Sequence, residues 1–586
     1  MKKVLVKVLV TSAVMISILI AAVVFLPKGK TSNKETNELD LLTESADKQG
    51  INKGGSKHVS IGKDETIMQF SHGNVKDIYN VKKSKAIAKR IDKLKKQARY
   101  TFDNPLLIWN AYGTNKLSLY YYFRAEESTY VTYTIQVADS KIPDFTRTLN
   151  THTDGNLTRV HEYLLTGFVP GYQNYLVLRQ YNGKGKLVKK QYFDFYVDKL
   201  RDGVKTKIGY EDGKSTASIS NGLFAVCGYH AGEKNIPKAI PLYDNSGIVR
   251  SVIPIENYRT DRLEILSNSM IYSVSNQAFA QVSSLGQVMN VYSLGRYRLH
   301  HDFVYNDYGQ LWCLATKKNA QSICDYVISV DVKDGKVQKL VDFGELFPKV
   351  KKQAAKANKA RPLNWINLNS IVRIESSDII VSSRELSSII RINHVTSGYP
   401  KIGYIISDSS IWKKTNNKKY LLLKGAYLNE KWYNLDSGTE KLGKGIHNFS
   451  CQLGQNSVSL EQGAGLSEGQ YYLTMLNNNY AYSTMVPGMK WSKFTNAGSK
   501  HRAASNSSYY EYLVDEKAGY FGLKRSYELP YTAQGGNVFW NGTNTIANSM
   551  GEKVFGEYDS TGKLIREFSL KAYRVYKYDM KKIWYY

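Results

Sequence analysis

The sequence predicts an all-β protein: an N-terminal membrane anchor and stalk, a small β-sandwich, then a six-bladed β-propeller. Three observations carry that expectation. Beyond residue 100 apolar and polar residues alternate between turn signals almost without interruption. Asp/Ser-x-x-Gly or Asp-Gly turns recur between strands to the end of the chain, and one 19-residue uncharged run stands at the N-terminus.

Taken in order, Lys2, Lys3 and Lys7 precede the uncharged run Val8 to Leu26, long enough to cross a bilayer as a helix. Residues 1–27 are expected to be a signal anchor, with a cleaved signal peptide as the alternative. Both put the bulk of the chain outside the cell, single-pass on the cell membrane in the first case. Residues 28–80, rich in Lys, Ser, Thr, Asn, Asp and Gly, are expected to be a flexible stalk.

Residues 81–99 carry nine basic residues and one acid, with Ile87, Ile91, Leu94 and Ala98 at helical spacing. This basic amphipathic helix has two readings, contact with anionic lipid or docking of its apolar stripe on the next domain. Residues 100–200 are expected to form the sandwich, with a strand corner at Gly167 and Pro170-Gly171.

Residues 201–586 hold the loose repeat: "YDNSGIVRSV" at 243, "VSSLGQVMNV" at 282, "VKDGKVQKLV" at 332, "INHVTSGYPKIGYI" at 392 and "YDSTGKLIREF" at 558. Each reads as a hairpin whose turn needs a positive-φ residue. Hairpins at this spacing are what four-stranded blades would write, and the length suits six; a large double sandwich is the competing architecture. A second basic run, Lys349 to Arg361, reads as a solvated helical insertion before Pro362.

The chain has 586 residues and a formal net charge of +29, with 45 Tyr but only 12 Pro and 4 Cys, which excludes disordered, collagen-like and disulfide-built classes. The charge speaks of anionic surroundings, and export argues against nucleic acid as partner. No phosphate-binding loop, dinucleotide fingerprint, Gly-x-Ser-x-Gly elbow or His-Glu-x-x-His pair is present, and Cys227, Cys313, Cys324 and Cys451 lack metal-ligand spacing. No cofactor is expected. Cys313 and Cys324 flank a hairpin and read either as a disulfide or as buried thiols.

The candidate chemistry lies in three segments. His300-His301-Asp302 enters a strand, where neighbouring side chains face opposite ways unless a bulge intervenes. In Asn364 to Asn393, alternation puts Trp365, Asn367 and Asn369 on one face. Arg384 there stands among Ile and Val residues and needs an anionic ligand or a core ion pair, with Glu385 or Asp378 as the nearby acids. The third segment is Phe449 to Tyr480.

These segments, with "FGEYDSTGKLIREFSLKAYRVYKYD" near the C-terminus and "NPLLIWNAYGTNKLSLYYYF" in the sandwich, resemble the bacterial arylsulfate sulfotransferase family over roughly residues 98–586. The resemblance implies a propeller with its active site in the central funnel. It also implies sulfuryl transfer between phenols with no nucleotide donor, through a His that attacks sulfur, while Arg and further His residues stabilise the oxygens.

Position by position, His300, His301, Asp302 and Arg384 match the family's motifs. Asn367 stands where the family's Trp-x-His-x-Asn-Ser has His, and Asn456, after Gln455, stands at the nucleophilic His. An amide nitrogen has no free lone pair, so Asn456 cannot form the covalent intermediate, and His447 could replace it only with a rearranged loop. Two functional readings follow. One is a diverged sulfotransferase working by direct in-line transfer with His300 or His301 as base. The other is a surface-anchored pseudoenzyme whose funnel binds a small anionic aromatic, phenolic or sulfated ligand.

Overall fold

The computed structural model describes residues 56–58 and 67–586, apart from 202, 230–237, 257, 260, 437–445, 462 and 464. The expected anchor and most of the stalk lie outside the described residues. Among the described residues no helix is long and apolar enough to cross a membrane. Lys57–Tyr586 form one compact unit.

The end of the expected stalk is part of this unit. Ile67–Gln69 pairs in parallel with Leu106–Trp109, Phe70 is buried, and the Tyr79 hydroxyl donates to the Pro254 carbonyl and meets the Tyr272 hydroxyl at 2.8 Å. Sparse apolar residues suffice here because each fills a prepared hollow. The basic helix spans Val81–Gln97, capped by the Asn80 side chain, and ends where Ala98 turns extended. Its face docks: Ile91 is buried among Phe70, Leu106, Ile108, Tyr120 and Tyr122, with Ile87 and Leu94 packed alongside. Ser84 Oγ accepts the Val288 amide at 2.9 Å, so the helix also braces a propeller blade. Burial of the apolar stripe favours this docking over a lipid-facing role for that stripe.

The sandwich is built round one strand, Ser118–Gln136. Its first half pairs with Leu106–Trp109 and Thr158–Thr166; after a register shift at Arg124/Thr129 its second half pairs with Phe145–Thr148 and Tyr172–Asn182. A single bent strand thus serves both layers, which alternation alone does not reveal. Gly167 (φ 108°) marks the expected corner: a Cβ there would lie 2.3 Å from the Phe145 ring.

Six further sheets, of four strands or more, form the six-bladed propeller. In chain order the inner strands are Leu263–Ile265, Tyr297–Tyr305, Leu368–Ile374, Asn456–Glu461, Asn537–Trp540 and Arg574–Tyr578. The last strand pairs with Leu223–Cys227, so the sixth blade joins the C-terminal strand to three strands from the start of the domain and closes the ring. The five glycine hairpins seen in the sequence join third to outer strands, with Gly247, Gly286, Gly335, Gly398 and Gly562 all at positive φ. The equivalent turn of the fourth blade, Asp515 to Tyr520, contains Gly519 (φ 75°).

Polar side chains latch inner strands to their neighbours at five of the six junctions. Asp302 Oδ2 accepts the Ile371 amide (3.1 Å), Ser370 Oγ that of Val458 (2.9 Å) and Ser457 Oγ that of Val538 (2.9 Å). Asn537 Oδ1 accepts Val575 N (2.8 Å), and the Tyr578 hydroxyl accepts Leu263 N (3.1 Å). Inner strands are buried on both edges, so amide groups there need partners from the neighbouring blade.

The helix of the second basic run is Pro348–Ala357 and is not simply solvated: Val350 and Ala354 pack with Phe343, Phe347 and Trp412. Arg250 joins sandwich to closing blade, bonded to Asp244 Oδ2 (2.7 Å) and to the carbonyls of Gly167 (3.0 Å) and Pro143 (2.8 Å).

Candidate functional site at the propeller axis

The second blade's inner strand carries His300-His301-Asp302 across a break in register. Leu299 pairs with Ala315, but the next pair is Phe303 with Cys313. His301 sits in the bulge at φ 59°. The bulge lifts the alternation, and the two imidazoles meet, Nδ1 to Nδ1, at 2.9 Å. A contact between two neutral rings at that distance has one Nδ1 donating and the other accepting.

Asp302 points the other way into an ionic cluster. It takes a bidentate bond from Arg262 (Nε 2.9 Å, Nη2 3.0 Å), and Arg574 Nη1 lies 3.5 Å from its Oδ1. Arg574, fully buried on the closing strand, donates through Nη2 to the Asn369 carbonyl and, at 2.8 Å, to Asn456 Oδ1. Asn456 Oδ1 also accepts the Ser457 amide at 2.9 Å.

Arg384 occupies the turn between the second and third strands of the third blade. Its amide donates to the Asn367 carbonyl at 3.1 Å, and its Nη1 to Glu385 Oε1 at 2.6 Å, while Ser483 holds the other oxygen of Glu385 at 2.5 Å. The guanidinium lies 5.4 Å from the centre of the Tyr480 ring. Glu385 is therefore the partner the sequence left open; Asp378 belongs to Arg391.

Asn367 has φ 46°, which breaks the expected shared face. Trp365 donates to Asp325 in the preceding blade and Asn369 to the Gln455 carbonyl in the following one. Gln455 is structural in its bonds, donating to Ser382 Oγ and the Ser388 carbonyl, both at 2.9 Å. His447 is exposed.

The electrostatics favour an anion. Burial pushes the His300 pKa down to about 3, with Arg259 lowering it further against the Ala315 backbone. Burial, then Arg259, His300, Arg574 and Arg384, hold His301 far below 6.5. Both rings are neutral at physiological pH and carry a lone pair. Arg259 stacks 3.7 Å above the Tyr573 ring and lies 3.6 Å from Asp261, whose pKa burial raises. The buried Nε atoms of Arg259, Arg384 and Arg574 and the Asn367 Oδ1 have no hydrogen-bond partner. The three guanidinium groups thus keep a free N–H donor each, while the Asn367 oxygen is a free acceptor.

The donor atoms of His300, His301 and Cys324 lie within 4.8 Å of one another. The Cys324 thiol is pushed up to about 12 by burial, and Arg259 acts on all three groups, so the surroundings repel a cation. Cys324 and Cys313 are both free and buried; they form no disulfide.

His300, His301, Arg384 and Asn456 thus gather round the axis with Asn367. Arg259, Arg262, Tyr573 and Arg574 join them, unforeseen from sequence. Their only signal was charge within the strand-like stretches "YRTDRLEI" and "YRVYKYD", the latter having the pattern of an ordinary closing strand.

Fold and site together define a propeller protein with a buried cluster of arginine, histidine and aspartate side chains at its axis. Residues 211–539, more than half of the chain, match the family described as arylsulfotransferase (ASST), and residues 106–193 match the arylsulfotransferase Ig-like domain. The chain belongs to the arylsulfotransferase family. No curated protein matches it in sequence. Among solved structures it is similar to a 6-phosphogluconolactonase described as putative from Bacteroides uniformis (8% identity, 77% of this chain and 99% of that one, TM-score 0.33). It is also similar to the periplasmic gluconolactonase PpgL of Pseudomonas aeruginosa (10%, 76% and 99%, 0.29) and to BamB of Moraxella catarrhalis (8%, 65% and 100%, 0.28).

Proposed function

We propose that the axial site binds an aryl sulfate or a closely related anionic aromatic, and that it does not turn this ligand over through a sulfated residue. The observation that carries this reading is Asn456. Its Oδ1 is engaged by Arg574 and the Ser457 amide, and its nitrogen is a resonance-tied amide with no lone pair to attack sulfur. Arg384, held by Glu385, supplies the charge for the sulfuryl oxygens. Export behind the N-terminal run, on the cell membrane with the bulk of the chain outside, belongs to the same proposal, as does the absence of nucleic acid, metal or cofactor from the function.

A second reading is favoured by the neutral His300–His301 pair. In a single in-line step an acceptor phenol gives its proton to one imidazole as its oxygen bonds sulfur. The donor's aryl O–S bond breaks, and the departing phenolate recovers a proton.

The full chain is titrated with 4-nitrophenyl sulfate and then assayed for transfer to phenol. Binding is expected, with Arg384→Ala weakening it roughly tenfold or more, the worth of a charge-assisted hydrogen bond. Transfer is expected at background. Turnover with a sulfated residue detected by mass spectrometry overturns the proposal; turnover without one, lost in His301→Gln, establishes the second reading.

A further inference from the structure

Behind the turn that carries Arg384 lies a separate cavity of about 320 Å³. Its apolar wall includes Leu386, Trp412 and Met485, all buried. Four lysines also line it: Lys413, Lys414, Lys490 and Lys493. Among the described residues lining it none is acidic; Asp408, outside the lining, pairs with Lys493 at 2.7 Å. Lys413, Lys414 and Lys490 are exposed.

The walls are prebuilt, not incidental. Trp412 Nε1 donates to Ser388 Oγ at 2.9 Å, and that hydroxyl donates to the Leu386 carbonyl at 2.6 Å. The Met485 amide donates to Ser483 Oγ at 3.1 Å, the same hydroxyl that holds Glu385. Three separate insertions converge on the space: the helix Pro348–Ala357, the segment 409–415 and the segment 485–493.

An apolar hollow of this size with charge of one sign at its mouth has the form of a small-molecule site, in which the walls bind a flat body and a few polar groups fix its orientation. Lys413, Lys414 and Lys490, the exposed lysines at the mouth, select a negative headgroup over a neutral or cationic one. We infer that this cavity is a second binding site, distinct from the axial one, for an amphiphilic anion: an aromatic or acyl body bearing a sulfate, sulfonate or similar headgroup. The site stands on its own observations and does not depend on the axial site binding an aryl sulfate.

The test uses the full chain in phosphatidylcholine nanodiscs, titrated with 2-naphthyl sulfate while amide hydrogen exchange is followed by mass spectrometry. Exchange is expected to slow in 409–415 and 485–493, and 2-naphthol should bind at least tenfold more weakly. The triple variant Lys413→Ala, Lys414→Ala, Lys490→Ala alters only exposed side chains; it should lose that protection while His301→Gln at the axis keeps it. Protection confined to the axial strands, unchanged protection in the triple variant, or equal binding of 2-naphthol each overturns the inference. Replacing the nanodisc lipid with phosphatidylglycerol separates the two sources of such a headgroup. Protection of both segments by that lipid alone, which added naphthyl sulfate does not displace, would make the lysines a membrane contact and refute the small-ligand site.

Discussion

The second and fourth blades present the same device at the axis and fill it differently. Both inner strands slip register beside the funnel, at Leu299/Phe303 and at Asn456/Ser459, and each slip contains a residue at positive φ, His301 (59°) and Ser457 (51°). Both also latch the next blade, Asp302 to Ile371 N and Ser457 to Val538 N. Yet one strand offers two neutral imidazoles while the other offers an amide already engaged by Arg574. The latches depend only on an acceptor at the right place, so the ring closes whether or not the adjacent side chain can do chemistry. Scaffold and reactivity are separable here, residue by residue.

The comparison breaks most severely at Asp302. Asp302→Ala leaves the fully buried Arg574 and the half-buried Arg262 without their carboxylate and removes the Ile371 latch. The cost expected is about 3–5 kcal/mol, read from denaturant unfolding. A loss below about 1 kcal/mol would mean that the cluster is not held by this carboxylate.

Next in size is the introduction of two histidines at the axis. Asn367→His with Asn456→His should raise sulfuryl transfer from 4-nitrophenyl sulfate to phenol by roughly 100-fold over wild type, the low end of what a positioned acid–base group contributes. A folded double variant with unchanged rate would show that the second and fourth blades differ by more than these side chains.

The imidazole pair makes a pH prediction. Its folded-state pKa values lie below the unfolded value near 6.5, so unfolded chains bind more protons between about pH 6.5 and 3. The stabilisation is complete above 6.5 and is lost as pH falls toward 3. His300 contributes up to about 1.4 kcal/mol per pH unit in that window, and His301 acts in the same direction. Unfolding of wild type against His300→Asn at pH 7 and pH 4.5 should show the variant with the shallower dependence; equal slopes would contradict burial of a neutral ring.

The smallest effect is expected from Ser457→Ala. It leaves the Val538 amide without its acceptor, a cost of about 1–3 kcal/mol that should fall near the bottom of that range if water reaches the site. It should leave ligand affinity unchanged in the same titration used for Arg384→Ala.

The hairpin glycines were legible because a positive φ restricts residue choice locally, so five of the turns joining third to outer strands could be read from spacing alone. The end of the expected stalk is ordered although Phe70 and Tyr79 are too few to announce a fold; only the hollows receiving them make them structural. Trp365, Asn367 and Asn369 were assigned one face by a two-residue period, a rule that holds only for regular strand. The left-handed Asn367 cancels it.

By itself the sequence determined the all-β class, the recurrence of the blades, the segments that resemble the family's and the presence of an amide, not an imidazole, at position 456. Each of these resides in residue type or in near-neighbour spacing. Only the tertiary structure decided that His300 and His301 meet and that Glu385 holds Arg384. It alone brought Arg574, 118 positions beyond Asn456, to occupy that residue's amide oxygen. Propeller closure is the reason: it brings inner strands from remote parts of the chain to one axis, and no local pattern encodes which of their side chains will face one another there.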